Sequence, residues 1–593
     1  MGKQERSAIW LWAAVLLLTT ALLLLRMAYS GFDQVLFGDN DDAMRMVVVR
    51  DFLAGQGWFD HAQYRMNTPW GGEMHWSRLV DLPIAALVLM ARPFAGASAE
   101  IVAGFVWPTI LLGLLIWLSG RLTLRLVGRE GLLPGMLILA CSVITFGEFD
   151  FGRVDHHSVQ IILTQLVVLF SIDALTRPRA ALWAGLAMAT ALAIGTEALP
   201  VVVAGMVVFG MMYVVAPSLH AAVRWFGLAF GLGTVAHLVA ALPPQLWFSP
   251  ACDAISIVYA TAALGAGAGL VGLTLLPLRG ESWLPRLLAA TVVGGALLAL
   301  LAALFPGCLA GPYAIVDPWL VEYWLKDIGE AKPVFQVIAE QPIYVLSTTV
   351  PALLSLAAAL HAVMRTEGTR RAAWLIVLAV LAILVAVAFV QLRSIRITLA
   401  LTGPACAFWV VLARHRYLQR VSLASVLALV GSWVGFAGFI WAMVAYPVAM
   451  AQAAAAVETG PETELSHKDC LAPGAYAELA AMPRARIMTP LDLGAFILLY
   501  TDHEVVGTPY HRNNQQILDT YHFLNHPIGE AKDILDTRGV TLVVTCAPLA
   551  SMRGLPDAAE DSFVRLNKRG ELPDWLEPIS APDSVLTIYS VRR

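Results

Sequence analysis

Four short stretches of this 593-residue chain carry side chains suited to metal and phosphate chemistry, and each lies beside an apolar run. The first is Gly38-Asp39-Asn40-Asp41-Asp42. Its carboxylates repel one another unless a cation or solvent neutralises them, and hard divalent cations prefer such oxygen ligands. A solvated acidic loop is the alternative. The second is Glu148-Phe149-Asp150-Phe151-Gly152-Arg153-Val154-Asp155-His156-His157. Its Asp-x-His pair offers one carboxylate oxygen and one imidazole nitrogen, half of a metal site. Asp155 capping a following helix, with His157 reaching back to the interface, would use the same residues structurally. The third is the lone carboxylate of Ile328-Gly329-Glu330. The fourth is the pair Arg393 and Arg396, whose forked donors suit a phosphate or pyrophosphate; a phospholipid headgroup would serve as well. A carboxylate-held metal beside phosphate-binding arginines suits group transfer from a lipid phosphate donor.

The elements that must position these residues are membrane helices. Hydrophobic residues make up 58% of the chain and charged residues 14%, and the mean hydropathy is +0.70. A soluble chain of this length would carry more charge. The net charge of −4 indicates no nucleic-acid partner. Six cysteines without a Cys-x-x-Cys pair indicate neither a disulfide scaffold nor a zinc module. A bilayer core takes about 20 apolar residues per helix. Thirteen segments fit: 8–30, 101–120, 131–148, 158–175, 180–197, 199–215, 222–242, 255–277, 286–305, 342–363, 371–391, 397–413 and 421–445. The first is too long for a signal peptide and reads as a retained span. The shorter run 82–94, ending at Arg92-Pro93, reads as a helix lying at the interface.

Alternation of these spans places Lys3/Arg6, Arg121–Arg129, Arg177/Arg179, Arg224, Arg279/Arg286, Arg365/Arg370/Arg371 and Arg414/Arg416/Arg420 on one side. By the positive-inside rule that side is cytoplasmic. All four chemically active stretches then fall on the other side, as does everything after about residue 446. In bacterial terms the chain is expected in the inner membrane, with its chemistry on the periplasmic face. Cys252 and Cys308 fall in outside loops, and Cys470 and Cys546 in the outside terminal region, where an oxidising compartment would allow two disulfides or leave four thiols. The division is therefore 1–446, a membrane domain, and 447–593, a small α/β domain. Strand-like runs occur there at 485–488, 504–506, 540–545 and 585–591, and helix-like runs at 476–482, 514–524 and 530–537.

In this order the motifs resemble those of the catalytic subunit of oligosaccharyltransferase, a membrane glycosyltransferase of the GT-C class. Asn40-Asp41, then Arg50-Asp51 and Ala54-Gly55, is similar to the first catalytic loop of bacterial members. That resemblance implies Asp41 as a catalytic and metal-binding carboxylate, with Asp42 as a near alternative that could also face the acceptor. Gly152 to His157 is similar to the second motif, which archaeal members often write Asp-His-His, and implies Asp155 and His157 as metal ligands. His75 stands where some archaeal members supply a further histidine ligand. Ile328-Gly329-Glu330 resembles the external-loop motif ending in a catalytic, metal-facing Glu. Ile395-Arg396-Ile397-Thr398-Leu399 resembles the segment whose Arg meets the pyrophosphate or the acceptor region, and Arg393 beside it is a second donor-phosphate candidate. The family's Trp-Trp-Asp-Tyr-Gly acceptor motif is altered here to Pro490-Leu491-Asp492-Leu493-Gly494. Asp492 and the downstream loop with Tyr510, His511 and Arg512 remain as acceptor-binding candidates.

The resemblance implies a GT-C fold and a Mg²⁺- or Mn²⁺-dependent transferase. Its donor would be a polyprenyl-(pyro)phosphate-linked sugar or oligosaccharide, and its acceptor a protein, glycan or lipid. Loss of both tryptophans leaves room for a GT-C transferase that adds single sugars to an envelope glycan or lipid. A transporter or flippase is the reading from another class. It would place ionisable groups within spans rather than at their ends.

Overall fold

The computed structural model describes residues 3–30, 36–278, 280, 282–457, 465–549 and 558–592. Arg279, one of the basic residues used to orient the spans, lies outside them, as do the side chains of Lys3 and Arg6.

In chain order the first helices are α1 (Lys3–Ser30), α2 (Asn40–Leu53), α3 (Arg78–Ala95), α4 (Ala99–Leu126), α5 (Leu132–Leu137), α6 (Val143–Glu148), α7 (His157–Ala174) and α8 (Ala180–Ile194). Then come α9 (Leu199–Val215), α10 (His220–Ala241), α11 (Ile257–Leu275) and α12 (Leu284–Leu304). The loop after α12 carries two short helices, α13 (Pro318–Tyr323) and α14 (Val334–Glu340). The bundle closes with α15 (Pro342–Arg365), α16 (Gly368–Ala388), α17 (Ser394–Ile397), α18 (Leu399–Gln419), α19 (Leu423–Val434) and α20 (Gly438–Val457).

Among the described residues nine helices are long and apolar enough to cross a membrane, or ten if α19 and α20, bent by 81°, count as one span. The chain is thus an integral membrane protein. All thirteen expected segments are helical, but three fall short of that standard. Segment 131–148 breaks into α5 and α6 around a 3-10 turn. Segment 180–197 ends as an α-helix at Ile194 and turns at Thr196–Ala198. Segment 397–413 continues as α18 into Arg414, His415 and Arg416. Two of these breaks put chemistry at a helix end: α6 stops at Glu148, and the turn after α8 presents Glu197.

The short run 82–94 lies within α3, which buries Val80, Asp81, Ile84, Ala85, Val88 and Ala91 on one stripe. Leu82, Leu89, Met90 and Phe94 remain exposed on the other. This is the amphipathic pattern of a helix with one face in lipid. α3 packs against α2 and α4.

The C-terminal domain contains α21 (His467–Leu471), α22 (Ala477–Ala480), α23 (Leu491–Tyr500), α24 (Asn514–Asn525), α25 (Ile528–Arg538) and α26 (Phe563–Arg569). Two short strands in the first external loop, β1 (Ala62–Gln63) and β2 (Gly72–Glu73), pair antiparallel. The domain's own strands are β3 (Arg486–Met488), β4 (Glu504–Val505), β5 (Leu542–Thr545), β6 (Leu576–Pro578) and β7 (Thr587–Val591). They form one sheet in the order β4-β3-β5-β7-β6, parallel from β4 to β5 and antiparallel beyond. The expected strands and helices are present; β6, α21, α23 and α26 are additions. Cys470–Cys546 bridges α21 to the end of β5, and Cys252–Cys308 bridges the loops after α10 and α12.

The domain is anchored through side chains of the first external loop. Arg65 donates to the carbonyls of Leu498 and Thr501 at 2.9 and 2.8 Å, and Arg50 to that of Leu499 at 2.9 Å. These are C-terminal carbonyls of α23 and its cap, which no turn of helix satisfies. Arg538, almost fully buried, donates from the domain to Asn67 and to the Thr68 carbonyl.

Candidate active site

The site begins with a helix N-terminus. Asp39 caps α2, its side chain accepting from the Asp41 amide at 3.0 Å. Asp41 and Asp42 occupy the first turn, where the helix dipole favours negative charge. Consecutive residues on a helix diverge by about 100°, so the two carboxylates go different ways. Asp42 is completely buried and accepts from the Val154 and Asp155 amides at 2.8 and 2.9 Å and from Arg153 at 2.6 Å. Both its oxygens are taken by this loop. Asp42 therefore joins α2 to the second motif and does not face an acceptor, contrary to expectation. Asp41 turns toward the cavity.

The second motif reaches its place through Gly152. Its φ of +83° belongs to the left-handed region, and a Cβ there would sit 1.7 Å from the Leu36 carbonyl oxygen. The Gly152 amide donates to the Gly104 carbonyl at 2.8 Å, fixing the loop on α4. Asp155, 3% exposed, then enters a web of cations. Its Oδ1 meets His156 Nδ1 at 2.6 Å and Arg45 Nη2 at 3.3 Å, and its Oδ2 lies 2.8 Å from His157 Nδ1. Burial alone would raise the Asp155 carboxyl, but His156 and His157 hold it well below the usual range. Arg45 is buried across the ring of Trp76 at 4.2 Å and also donates to Asp81 at 2.8 Å. It orients Asp155 from behind.

Three further carboxylates close around His157. Glu197 Oε2 lies 3.0 Å from His157 Nε2 and 3.4 Å from His156 Nε2. Glu148 Oε2 lies 3.8 Å from His157 Nδ1. Glu330 pairs with Arg396, whose Nη1 is 3.5 Å from His157 Nδ1 and whose Nε meets Tyr344 Oη at 3.2 Å and Glu148 at 3.4 Å. Arg393 donates to Glu197 at 2.9 Å and to Tyr313 Oη at 3.0 Å. The structure thus brings Asp41, Asp155, His157, Glu330, Arg393 and Arg396 to one centre, as anticipated. It adds Glu148, Glu197, Arg45, Tyr313 and Tyr344, which sequence reasoning missed as participants.

The donor set fits a divalent cation. Asp155, His156 and His157 each offer a ligand atom within 4.8 Å of the others. Asp155 Oδ2 and Glu148 Oε2 are buried without an aligned hydrogen-bond donor, although His157 Nδ1 stands near both. Buried polar atoms are seldom left so. Asp41 is raised well above the carboxylate range by burial, and then by the charges of Asp155 and Asp39. A cation among these oxygens would reverse that repulsion.

His75 belongs elsewhere in the cavity. It groups with Asp253 and His511, not with Asp155 and His157. Its ring centroid is 4.6 Å from that of His511, and burial lowers it well below the usual imidazole range. His511 Nε2 lies 2.8 Å from Asp253 Oδ2, and Arg512 forks onto the same carboxylate at 2.7 and 2.9 Å. The structure thus separates His75 from the Asp155 and His157 cluster and places it, with Asp253 and His511, in a second group of possible cation ligands. Arg512 and His511 anchor the domain to the loop after α10. Tyr510 is buried and donates to the Asn40 carbonyl at 3.0 Å. Asp492 is exposed at the start of α23 and accepts from Asn40 at 3.1 Å. Tyr510 and His511 line the same cavity as Asp41 and Glu330. Asp492 and Arg512 are not part of its lining.

Two cavities meet at the centre. One, about 320 Å³, holds Asp41, Glu148, Arg153, His157, Glu330 and Arg396. The other, about 310 Å³, runs from His157, Glu197, Arg393 and Arg396 between apolar residues of α7, α9 and α16.

A helical membrane bundle whose helix ends converge carboxylates, histidines and arginines, with a small α/β domain docked over them, defines the GT-C fold. Solved structures give that likeness particular form. Oligosaccharyltransferase AglB from Archaeoglobus fulgidus, in complex with an inhibitory peptide and a dolichol-phosphate, matches with a TM-score of 0.68 at 12% identity, over 100% of this chain and 75% of that one. An A. fulgidus oligosaccharyltransferase complex with Zn and sulfate matches with a TM-score of 0.63 at 12% identity, over 90% of this chain and 68% of that one. The same organism's enzyme tethered to an acceptor peptide containing the NVT sequon gives 0.61 at 12% identity, with coverage of 90% and 68%. No protein-family model matches the chain. No curated protein matches it in sequence.

Proposed function

We propose that this protein is a divalent-metal-dependent glycosyltransferase. It moves a sugar or oligosaccharide from a polyprenyl-(pyro)phosphate donor to an acceptor on the face that carries the C-terminal domain. One observation carries the reading: the Asp41, Asp155 and His157 cluster and the Arg393 and Arg396 pair meet at the mouth of an apolar cavity between α7, α9 and α16. A lipid phosphate presents that combination, a charged head on an apolar chain. The solved A. fulgidus complexes, with a dolichol-phosphate in one and Zn and sulfate in another, agree with this ligand chemistry.

In the reaction the acceptor nucleophile bonds to the anomeric carbon as the carbon–phosphate-oxygen bond breaks. Asp41 or Glu330 takes the acceptor proton. Arg396 and Arg393 hold the departing phosphate, and their carboxylate partners fix the planes of both guanidinium groups. Asp41, Asp155 and His157 would hold the cation, which when bound supplies charge neutralisation for the leaving phosphate. Mg²⁺ or Mn²⁺ suits the oxygen-rich set. Both disulfides agree with an oxidising compartment, hence with a periplasmic face on an inner-membrane protein.

A second reading concerns the acceptor. Leu491 and Leu493, in place of the family's aromatic acceptor residues, are buried at 1% and 0% exposure, and α23 packs on α2. They fill a core and present nothing to a peptide. This favours a glycan or lipid acceptor over a sequon asparagine. The test is transfer by purified protein from a labelled polyprenyl-phosphate sugar, offered envelope glycolipid or an Asn-x-Thr peptide. Transfer to neither acceptor, with intact donor and added Mn²⁺, would sink the proposal.

A further inference from the structure

The ends of α4, α7 and α16 far from the active site flank another cavity, half open to the surface, of about 400 Å³. From His157 to Asp173, α7 rises about 24 Å at 1.5 Å per residue, most of the thickness of a bilayer core. Three arginines from separate segments line the cavity: Arg125 in the last turn of α4, Arg177 beyond the end of α7, and Arg370 in the first turn of α16. Thr176 and Thr369 add hydroxyl groups. The three helices pack on one another, so their ends gather the arginines around one opening at the surface.

The charges there do not balance. Asp173, the carboxylate in the wall, is engaged by Arg125 through a fork of 2.5 and 3.1 Å. Arg177 and Arg370 have no side-chain acceptor among the described residues. Glu367, the nearby acid, is exposed and outside the wall. Two unpaired guanidinium groups facing one cavity repel until an anion lies between them. Their forked donors, with two hydroxyl groups alongside, match the oxygens of a phosphate. The position matters as much as the charge. A basic pocket between the ends of membrane helices sits at headgroup depth.

We propose that this cavity binds the phosphate of an anionic lipid headgroup, in the leaflet opposite the active site. It is a site separate from the donor site, and it does not depend on the transferase reading. The lipid would tie together α4, α7 and α16, the last two of which wall the donor cavity at their other ends.

Native mass spectrometry of the purified full-length protein with added phosphatidylglycerol tests this. The wild type is expected to retain phosphatidylglycerol over phosphatidylcholine. An Arg177→Gln/Arg370→Gln variant is expected to lose that affinity at least about tenfold, the worth of one charged hydrogen bond. Both side chains are exposed, so the variant should fold, and its melting temperature checks that. A control variant, Arg121→Gln/Arg414→Gln, removes two arginines outside the cavity and should bind as the wild type does. Equal losses in the two variants would overturn the site, as would equal retention of the two lipids. Complete displacement of the lipid by millimolar inorganic phosphate would overturn the lipid assignment in favour of a free anion.

Discussion

Asp41 and Asp155 differ in what holds them, and their substitutions should differ accordingly. Asp41 has few protein partners and stands against other carboxylates. Asp41→Asn removes one cavity carboxylate and its repulsive charge, so expression and melting temperature should hold while transfer falls at least about 100-fold. Asp155 is paired to Arg45, His156 and His157. Asp155→Asn should cost activity and stability together, because Arg45 stays buried with half its compensation gone. Arg396→Lys is the third case. Lysine cannot reach Glu148, Glu330 and Tyr344 from one plane. Transfer should fall about tenfold or more, with a rise in the KM for the lipid donor as its sign. The local motifs were legible at this scale because the chemistry lies within three residues, as in Asp155 to His157. Glu197 was not, since it ends an apolar run and earns its role only from a helix break facing another helix. Asp253 was missed for the same reason: its partners His511 and Arg512 are far away in sequence.

Elements place these residues, and two are exposed to simple tests. The loop carrying Gly152 has no room for a side chain, so Gly152→Ala should displace Asp155 and lower the melting temperature, at a cost of roughly 1–3 kcal/mol. The loop from Phe305 to Gln341 brings Glu330 and Tyr313 to the cavity, and Cys308 ties its start to Cys252. A bridge across a separation of 56 residues restrains the unfolded chain by about 4 kcal/mol in the chain-entropy model. Cys252→Ser/Cys308→Ser should therefore speed proteolysis within this loop and reduce transfer. The control pair Cys141→Ser/Cys406→Ser, both free thiols, should leave that proteolysis unchanged. Helix positions were readable from apolar run lengths. The break inside 131–148 was not, because the run stays largely apolar through its turn; the turn that ends 180–197 falls at Gly195-Thr196-Glu197, at the very edge of its run. β6 and α26 are too short to leave a periodic signature, and α23 is apolar on nearly every position.

At the scale of the molecule, the first external loop, the loops after α10 and α12, and the C-terminal domain all meet over the bundle's end. The domain is bound by Arg50 and Arg65 to α23 and by the grip of Arg512 and His511 on Asp253. Asp253 is 4% exposed, so Arg512→Met would leave a buried carboxylate with only His511 beside it. The expected loss is about 3–5 kcal/mol, read as a lower melting temperature of the whole chain. That the chain crosses a membrane was legible from its apolar runs, and that its motifs gather at one end of the bundle from their places between those runs. Where Asp42 and His75 turn was not legible, because motif order says which loop a residue belongs to and nothing about the direction of its side chain.

The central claim is that Asp41, Asp155 and His157 together hold a divalent cation at the phosphate end of the donor cavity. Mn²⁺ titration of the chelator-stripped, purified protein, followed by electron paramagnetic resonance, tests it most directly. The account predicts a bound Mn²⁺ signal whose appearance restores transfer, and its loss in Asp155→Asn and His157→Ala. Transfer at full rate in excess chelator, or the same Mn²⁺ signal in those variants as in the wild type, would contradict it.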